Sequence, residues 1–321
     1  MKILITGATG FIGRPLCLKL TTAGYAVRAA VWRNDPAPVL PESVDKVIID
    51  SIGPDTEWVS SFKDVDTVIH LAARVHVMDE TEEEPLAAYR LVNVQGTEKL
   101  ARAAAAAGVK RFVFLSSVKV NGEETPASYK ENSTPAPQDP YGVSKLEAEQ
   151  ALLKISAETG LEVAVIRPPL VYGPGVKANF YKLMRTVARG VPLPLACVKN
   201  SRSMVYLGNL LDAIKTCAEH PAAAGKVFFV SDGEDVSIPE LVRRIAAALG
   251  HPARLVWVPA WLMRIAGKLT GKTSAVDRLF GSLTVDITRI RTELGWTPLF
   301  TMAEGLKDTA EWYKRSAGKP I

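Results

Sequence analysis

Cysteine and histidine are both scarce in this chain. Three cysteines in 321 residues (Cys17, Cys197 and Cys217) have no paired or metal-type spacing, so a disulfide framework is excluded and reduced thiols are expected. The four histidines are just as dispersed, and no metal site is readable. Charge of one sign is not concentrated either. A net charge of +5 spread over the chain, with aromatics at only 7%, leaves no basic stripe with interleaved rings, so no nucleic-acid partner is expected. No apolar run is long enough to cross a bilayer. The longest, Leu255 to Leu269, is broken by Pro259, Arg264 and Lys268. Its second half reads as an amphipathic helix with Trp261, Leu262, Ile265 and Leu269 on one side. That stripe is expected to face the core, with weak interfacial membrane contact as the other reading. No signal peptide is legible, because Met1-Lys2 leads straight into an apolar strand, and a cytoplasmic location is expected.

The chain instead has a regular alternation of apolar runs and helical patterns. Runs at 3–5, 26–31, 47–49, 65–69, 112–115, 163–166 and 227–230 read as buried strands. Helical patterns over 14–23, 86–107 and 145–159 lie between them. This order predicts an α/β protein with a doubly wound parallel sheet. Past Val171, prolines and glycines crowd in and the pattern breaks into short helices and loops. That predicts a smaller C-terminal α/β unit stitched into the first: 1–170 with about 205–232 as one domain, and 171–204 with about 233–321 as the other.

The first strand runs into Gly7-Ala8-Thr9-Gly10-Phe11-Ile12-Gly13. Glycines at that spacing let backbone pass close to a pyrophosphate at a helix N-terminus, the Rossmann dinucleotide signature. Farther on, Asp139-Pro140 is a helix start, a capping acid followed by proline at the first helical position. Tyr141 and Lys145 then fall one turn apart on one face. A lysine ammonium about 5 Å from a tyrosine favours the phenolate by roughly 3 kcal/mol at an effective dielectric near 20. This predicts a lowered Tyr141 pKa and a proton-transfer pair that works alongside hydride transfer. The strand at 112–115 ends in Ser116-Ser117, whose hydroxyls can bond a reacting oxygen.

In order, Gly-x-x-Gly-x-x-Gly at 7–13, His70-Leu71-Ala72-Ala73, Asn93-Val94-Gln95-Gly96-Thr97, Ser116-Ser117, Tyr141-x-x-x-Lys145 and Arg167-Pro168-Pro169 resemble an extended short-chain dehydrogenase/reductase of the NAD-dependent epimerase/dehydratase group. The resemblance spans nearly the whole chain, to Leu294-Gly295-Trp296-Thr297-Pro298. It implies Ser117, Tyr141 and Lys145 as the catalytic set. It places Gly7, Gly10, Phe11, Ile12 and Gly13 at the cofactor pyrophosphate, and Asp50 and Ile52 at the adenine. Leu71, Ala72, Ala73 and Asn93, with Tyr141 and Lys145, would line the rest of the NAD(H) or NADP(H) cleft. It also implies a nucleotide-sugar substrate, with Asn179, Arg202 and Arg278 on the diphosphate and Ser117 on the sugar, and a homodimer through the helices at 86–107 and 141–159.

Two departures from the family pattern refine the expectation. The second strand ends in Val31-Trp32-Arg33 with no ribose-binding acid, and Arg33 suits a 2′-phosphate, which leans toward NADP(H). Sugar 4,6-dehydratases of this group carry Thr-Asp-Glu where this chain has Ser117-Val118-Lys119, so the acid/base pair for dehydration is missing. The expected chemistry is oxidoreduction at C4 of a UDP sugar, leaning to reduction of a 4-keto-6-deoxy-N-acetylhexosamine. The alternatives are a 4-epimerase holding NAD, reduction of a small non-nucleotide ketone, and a non-catalytic dinucleotide binder.

Overall fold

The computed structural model describes residues 1–35, 39–75, 84–271 and 273–316, apart from the side chains of 274 and 275. The alternation forms as the sequence demands. Strand β1 (Lys2–Thr6) leads into helix α1 (Gly13–Thr22), followed by β2 (Ala26–Trp32), β3 (Asp45–Ile49) and β4 (Thr67–His70). Helices α2 (Pro85–Arg90) and α3 (Thr97–Ala106) are joined by one π-helical stretch, 91–96, within the single helical pattern read at 86–107. Then come β5 (Arg111–Leu115), α4 (Pro140–Thr159), β6 (Glu162–Arg167), β7 (Leu170–Tyr172), α5 (Ala178–Ala188), β8 (Arg202–Tyr206), α6 (Leu207–Glu219) and β9 (Lys226–Phe229). The chain continues through β10 (Asp235–Val236), α7 (Ile238–Leu249), α8 (Ala260–Leu269), α9 (Thr273–Phe280), α10 (Thr288–Leu294) and α11 (Met302–Ser316).

Seven strands form one parallel sheet in the order β3-β2-β1-β4-β5-β6-β9. β1 pairs with β2 on one side and β4 on the other (Ile3 with Val27 and with Thr67), and the order reverses between β1 and β4, so a crevice opens at their C-terminal ends. Alternate side chains serve opposite faces. Ile3 and Ile5 join a core with Leu16, Leu20, Leu210 and Ile214 beneath α1 and α6. Leu4 joins Val68, Phe112, Phe114, Leu100 and Leu152 beneath α3 and α4. Burial on both faces explains why these strands read as continuous apolar runs.

The later part of the chain builds a three-stranded sheet, β10-β8-β7, and a third core with Phe180, Met184, Leu241, Ile245 and Leu306. Its strands of two to five residues gave no apolar run, which is why the sequence reading missed them. That reading also expected Trp261, Leu262, Ile265 and Leu269 to face the core, and this is corrected. Met263 and Gly267 are the buried residues of α8, while the expected stripe faces solvent. An apolar stripe alone does not say which side is in.

Glu149, 2% exposed, binds Arg167 through two hydrogen bonds of 3.0 and 2.5 Å and accepts from Ser116 Oγ. This clamps α4 onto the ends of β5 and β6. Glu149→Ala leaves the Arg167 guanidinium buried and uncompensated, so a loss of about 3–5 kcal/mol is expected in urea unfolding. Arg90→Ala, which breaks the exposed Arg90–Glu147 pair, is expected to cost under about 1 kcal/mol. Equal losses would contradict the clamp.

Candidate active site

The crevice is built from the ends of β1, β4 and β5. Gly7 has φ of +69° and accepts from Gly10 N at 3.0 Å. A Cβ on Gly7 would lie 2.8 Å from Ala72 N, and one on Gly13 only 2.1 Å from Gly7 O. The turn therefore packs to contact distance on the end of β4, and side chains have no room there. The first turn of α1 has no acidic residue and no side-chain cap; Arg14 N donates to Gly10 O and Pro15 carries no N–H, so Ile12 N and Gly13 N are the donors left to an anion. This donor set fits a dinucleotide pyrophosphate. Phe11 and Ile12 turn their side chains onto the cores, so they offer the cleft backbone rather than side chain.

A buried chain of hydrogen bonds fixes this floor. Thr6 Oγ1 lies 2.6 Å from His70 Nδ1, and His70 Nε2 lies 2.9 Å from Thr97 Oγ1, which donates to Asn93 O at 2.7 Å. Thr97 must therefore accept from Nε2–H, and in the neutral His70 ring Nδ1 is the acceptor of the Thr6 hydroxyl. Burial, aided by the Lys145 charge, lowers its pKa to about 3. Leu71, Ala72 and Ala73 line the crevice just after it, half-buried. Asn93, expected at the cofactor, spends its amide elsewhere. Oδ1 accepts from Arg74 N at 2.8 Å, while Nδ2 donates to Arg74 O and to Ser144 Oγ, both at 3.0 Å. It fastens the loop after β4 to α4.

Where the resemblance implies the adenine, Arg33 is not held in reserve as expected. It is salt-bridged to Asp50, and the neighbouring Trp32 indole donates to Asp50 O. Both side chains of the ion pair are largely exposed. Ile52 packs against the core behind them.

Helix α4 begins as read. Asp139 Oδ1 accepts from Gly142 N at 2.6 Å and Pro140 takes the first turn. Gly142 was missed by sequence reasoning. A Cβ there would sit 2.7 Å from Lys119 O, so only glycine lets this turn lie on the segment after β5. Tyr141 is half-buried, its ring edge-on to Tyr89 at 6.3 Å. Lys145 is 2% exposed, with Nζ 2.8 Å from Leu115 O and 4.3 Å from the centre of the Phe114 ring. Ser117 is half-buried, and its Oγ accepts from Lys119 N at 3.2 Å.

The electrostatics correct one expectation. Tyr141 was expected to titrate low, but burial and the Asp139 carboxylate push its pKa well above the ordinary phenol value. Burial lowers Lys145 to about 7 against the opposing pull of Glu149, so its charge is diminished near neutrality. Lys119, where dehydratases carry an acid, is tied to Glu123 at 3.1 Å and to Asp139.

Two of the three residues expected at the diphosphate come together. Arg202 donates to Arg278 O, and Arg278 lies 3.8 Å from Glu123. Arg202 Nε is buried without a hydrogen-bond partner, an unused donor that suits an anionic ligand. Asn179 is exposed at the start of α5, after Ala178 with φ of +52°.

A doubly wound sheet with a glycine turn at its switch point and a Ser/Tyr/Lys set beside it defines a dinucleotide-dependent α/β enzyme class, the extended short-chain dehydrogenase/reductases. Residues 3–231 match the NAD dependent epimerase/dehydratase family, and the chain belongs to it. It is 48% identical to a UDP-glucose 4-epimerase of Vibrio cholerae over 97% of this chain and 94% of that one. It is 30% identical to a 3 beta-hydroxysteroid dehydrogenase/Delta 5-->4-isomerase of Mycobacterium tuberculosis over 97% and 90% of the two chains. The structure of MoeE5 in complex with UDP-glucuronic acid and NAD superposes with a TM-score of 0.79 at 29% identity, covering 98% of this chain and all of that one.

The Lys145 shift has a signed consequence. Its folded pKa, about 7, lies below the ordinary 10.5, so between those values the unfolded chain binds more protons. Stability contributed by this residue therefore rises with pH through that window, and below it the penalty of burying the charge is fully present. In denaturant titrations, the wild type is expected to gain stability relative to Lys145→Met from about pH 7 to pH 10. A pH-independent difference would contradict the assignment.

Proposed function

We propose that the chain is a nucleotide-sugar 4-epimerase that works with tightly held NAD, on a UDP hexose or UDP-N-acetylhexosamine. The observation that carries this reading is α4 docked on the end of β5, with Tyr141 and Lys145 on its first turns and Ser117 on the segment after β5 against which Gly142 packs. The 48% identity to a UDP-glucose 4-epimerase supports it. So does the NAD held by MoeE5, which favours NAD over NADP(H), the Arg33–Asp50 pair being too exposed to decide between them. In this reading 1–170 with 205–232 hold the cofactor, and 171–204 with 233–321 hold the sugar nucleotide. Half-exposed Leu91 and Leu153, on the helical stretches at 86–107 and 141–159, support a homodimer through those helices.

Bound at the glycine turn, NAD would supply the acceptor and donor of the hydride at the sugar C4. Tyr141 Oη takes the proton of the 4-hydroxyl and gives it back to the 4-keto oxygen once the ring has turned its other face. Ser117 Oγ donates to the same oxygen. Burial holds the resting Tyr141 phenol protonated, so it must first release its own proton to solvent to act as the base, and the Lys145 charge, which Glu149 sustains, favours that phenolate. Arg202 and Arg278 hold the diphosphate, the guanidinium fork suiting its oxygens.

The purified protein, denatured and analysed by mass spectrometry, is expected to release stoichiometric NAD. An empty protein that binds NADPH more tightly than NADH would overturn the epimerase in favour of the 4-keto-sugar reductase. Tyr141→Phe is expected to lower kcat by about a hundred- to ten-thousandfold with KM little changed. Arg202→Ala is expected to raise KM for the UDP sugar. An unchanged KM would remove the diphosphate assignment and favour an uncharged substrate, such as a steroid ketone.

A further inference from the structure

We infer that the outer face of α8, with the segment just before it, docks on an anionic phospholipid surface. The inference stands apart from the epimerase reading. At about 100° per residue, Trp261, Ile265, Leu269 and Leu262 fall within one arc about 100° wide, and Met263 and Gly267 lie opposite. The inner pair is buried, while Trp261 and Leu269 are 60% and 83% exposed. Trp257, 67% exposed, and Val256, 46% exposed, lie on the segment that leads into the helix. A helix apolar on both sides has one side still to cover, and two exposed indoles, one on that side and one just before the helix, suit the headgroup boundary, where one edge is apolar and the other wet.

Charge selects the occupant. From His251 to Val276 the sequence contains no Asp or Glu but includes Arg254, Arg264, Lys268 and Lys272. Lys272 lies outside the described residues. Arg264 and Lys268 border one edge of the apolar arc. The nearest acid in sequence, Asp277 on α9, lies 3.7 Å from Arg264, which also stacks over Phe280 at 5.5 Å. Arg254 and Lys268 are exposed. A second copy meeting this face about a two-fold axis would oppose like charges, whereas anionic headgroups neutralise them. The helix has ten residues, about 15 Å, half of a bilayer core, and among the described residues no helix is long and apolar enough to cross a membrane. It therefore lies on the surface. Because α8 packs on α9, whose Arg278 carbonyl accepts from Arg202, the docking face adjoins the wall of the substrate site.

The test uses the full chain with vesicles of phosphatidylcholine alone, and of three parts phosphatidylcholine to one part phosphatidylglycerol. Co-sedimentation and a blue-shifted tryptophan emission are expected with the anionic vesicles only, and both weaken at high salt. Trp261→Ser with Leu269→Ser is expected to lower partitioning at least about tenfold. Arg254→Glu with Lys268→Glu is expected to lower it at least about tenfold as well. Both variants should keep the wild-type circular dichroism. Equal partitioning into the two vesicle types, unchanged binding by either variant, or a concentration-dependent dimer abolished by Trp261→Ser with Leu269→Ser would each overturn the inference.

Discussion

The candidate site depends on how one helix is held against one strand. Helix α4 is fixed at its start by Asp139, which caps Gly142 and pairs with Lys119, and about three turns farther on by Glu149 on Arg167 and Ser116. Between these points lie Tyr141 and Lys145. Ser117 follows the very residue that Glu149 grips. Removing either anchor would let proton donor and acceptor drift, and a displacement of an ångström is enough to spoil a near-attack geometry. A buried ion pair is a poor source of net stability but strongly resists being half broken, which makes it suited to setting position.

The same clamp explains how a lysine can be kept in a dry pocket. Lys145 has a carbonyl, an aromatic face and a carboxylate one turn away, enough to hold its proton near neutrality but not to restore its ordinary pKa. A group poised near its transition responds to any added charge in the cleft. The surrounding floor is correspondingly inert: His70 is kept neutral by burial between two threonines, and Asn93 is spent on the loop and on Ser144.

Much of this was legible in the sequence. Strands buried on both faces announce themselves as apolar runs, and the glycine turn and the Asp139-Pro140 start have local chemistry that tertiary context did not override. What escaped depends on partners distant in sequence. Glu149 reads as an ordinary helix-surface acid until β6 brings Arg167 beneath it. Arg33 reads as available until β3 places Asp50 alongside. The Tyr141 shift was expected with the wrong sign, because desolvation and the capping carboxylate cannot be weighed from spacing. The orientation of α8 needed the third core, which the short strands β7, β8 and β10 concealed.

In a 4-epimerase of this build, one tyrosine and one face of the crevice serve both directions of a redox exchange at C4, with no net change in the cofactor. The most direct test supplies UDP-galactose carrying deuterium at C4, with no added reductant, and follows the product by NMR. Epimerisation through one held cofactor gives UDP-glucose with the deuterium retained at C4 and no accumulation of reduced cofactor. Loss of the deuterium to solvent, or product formed only when NADPH is consumed, would contradict it.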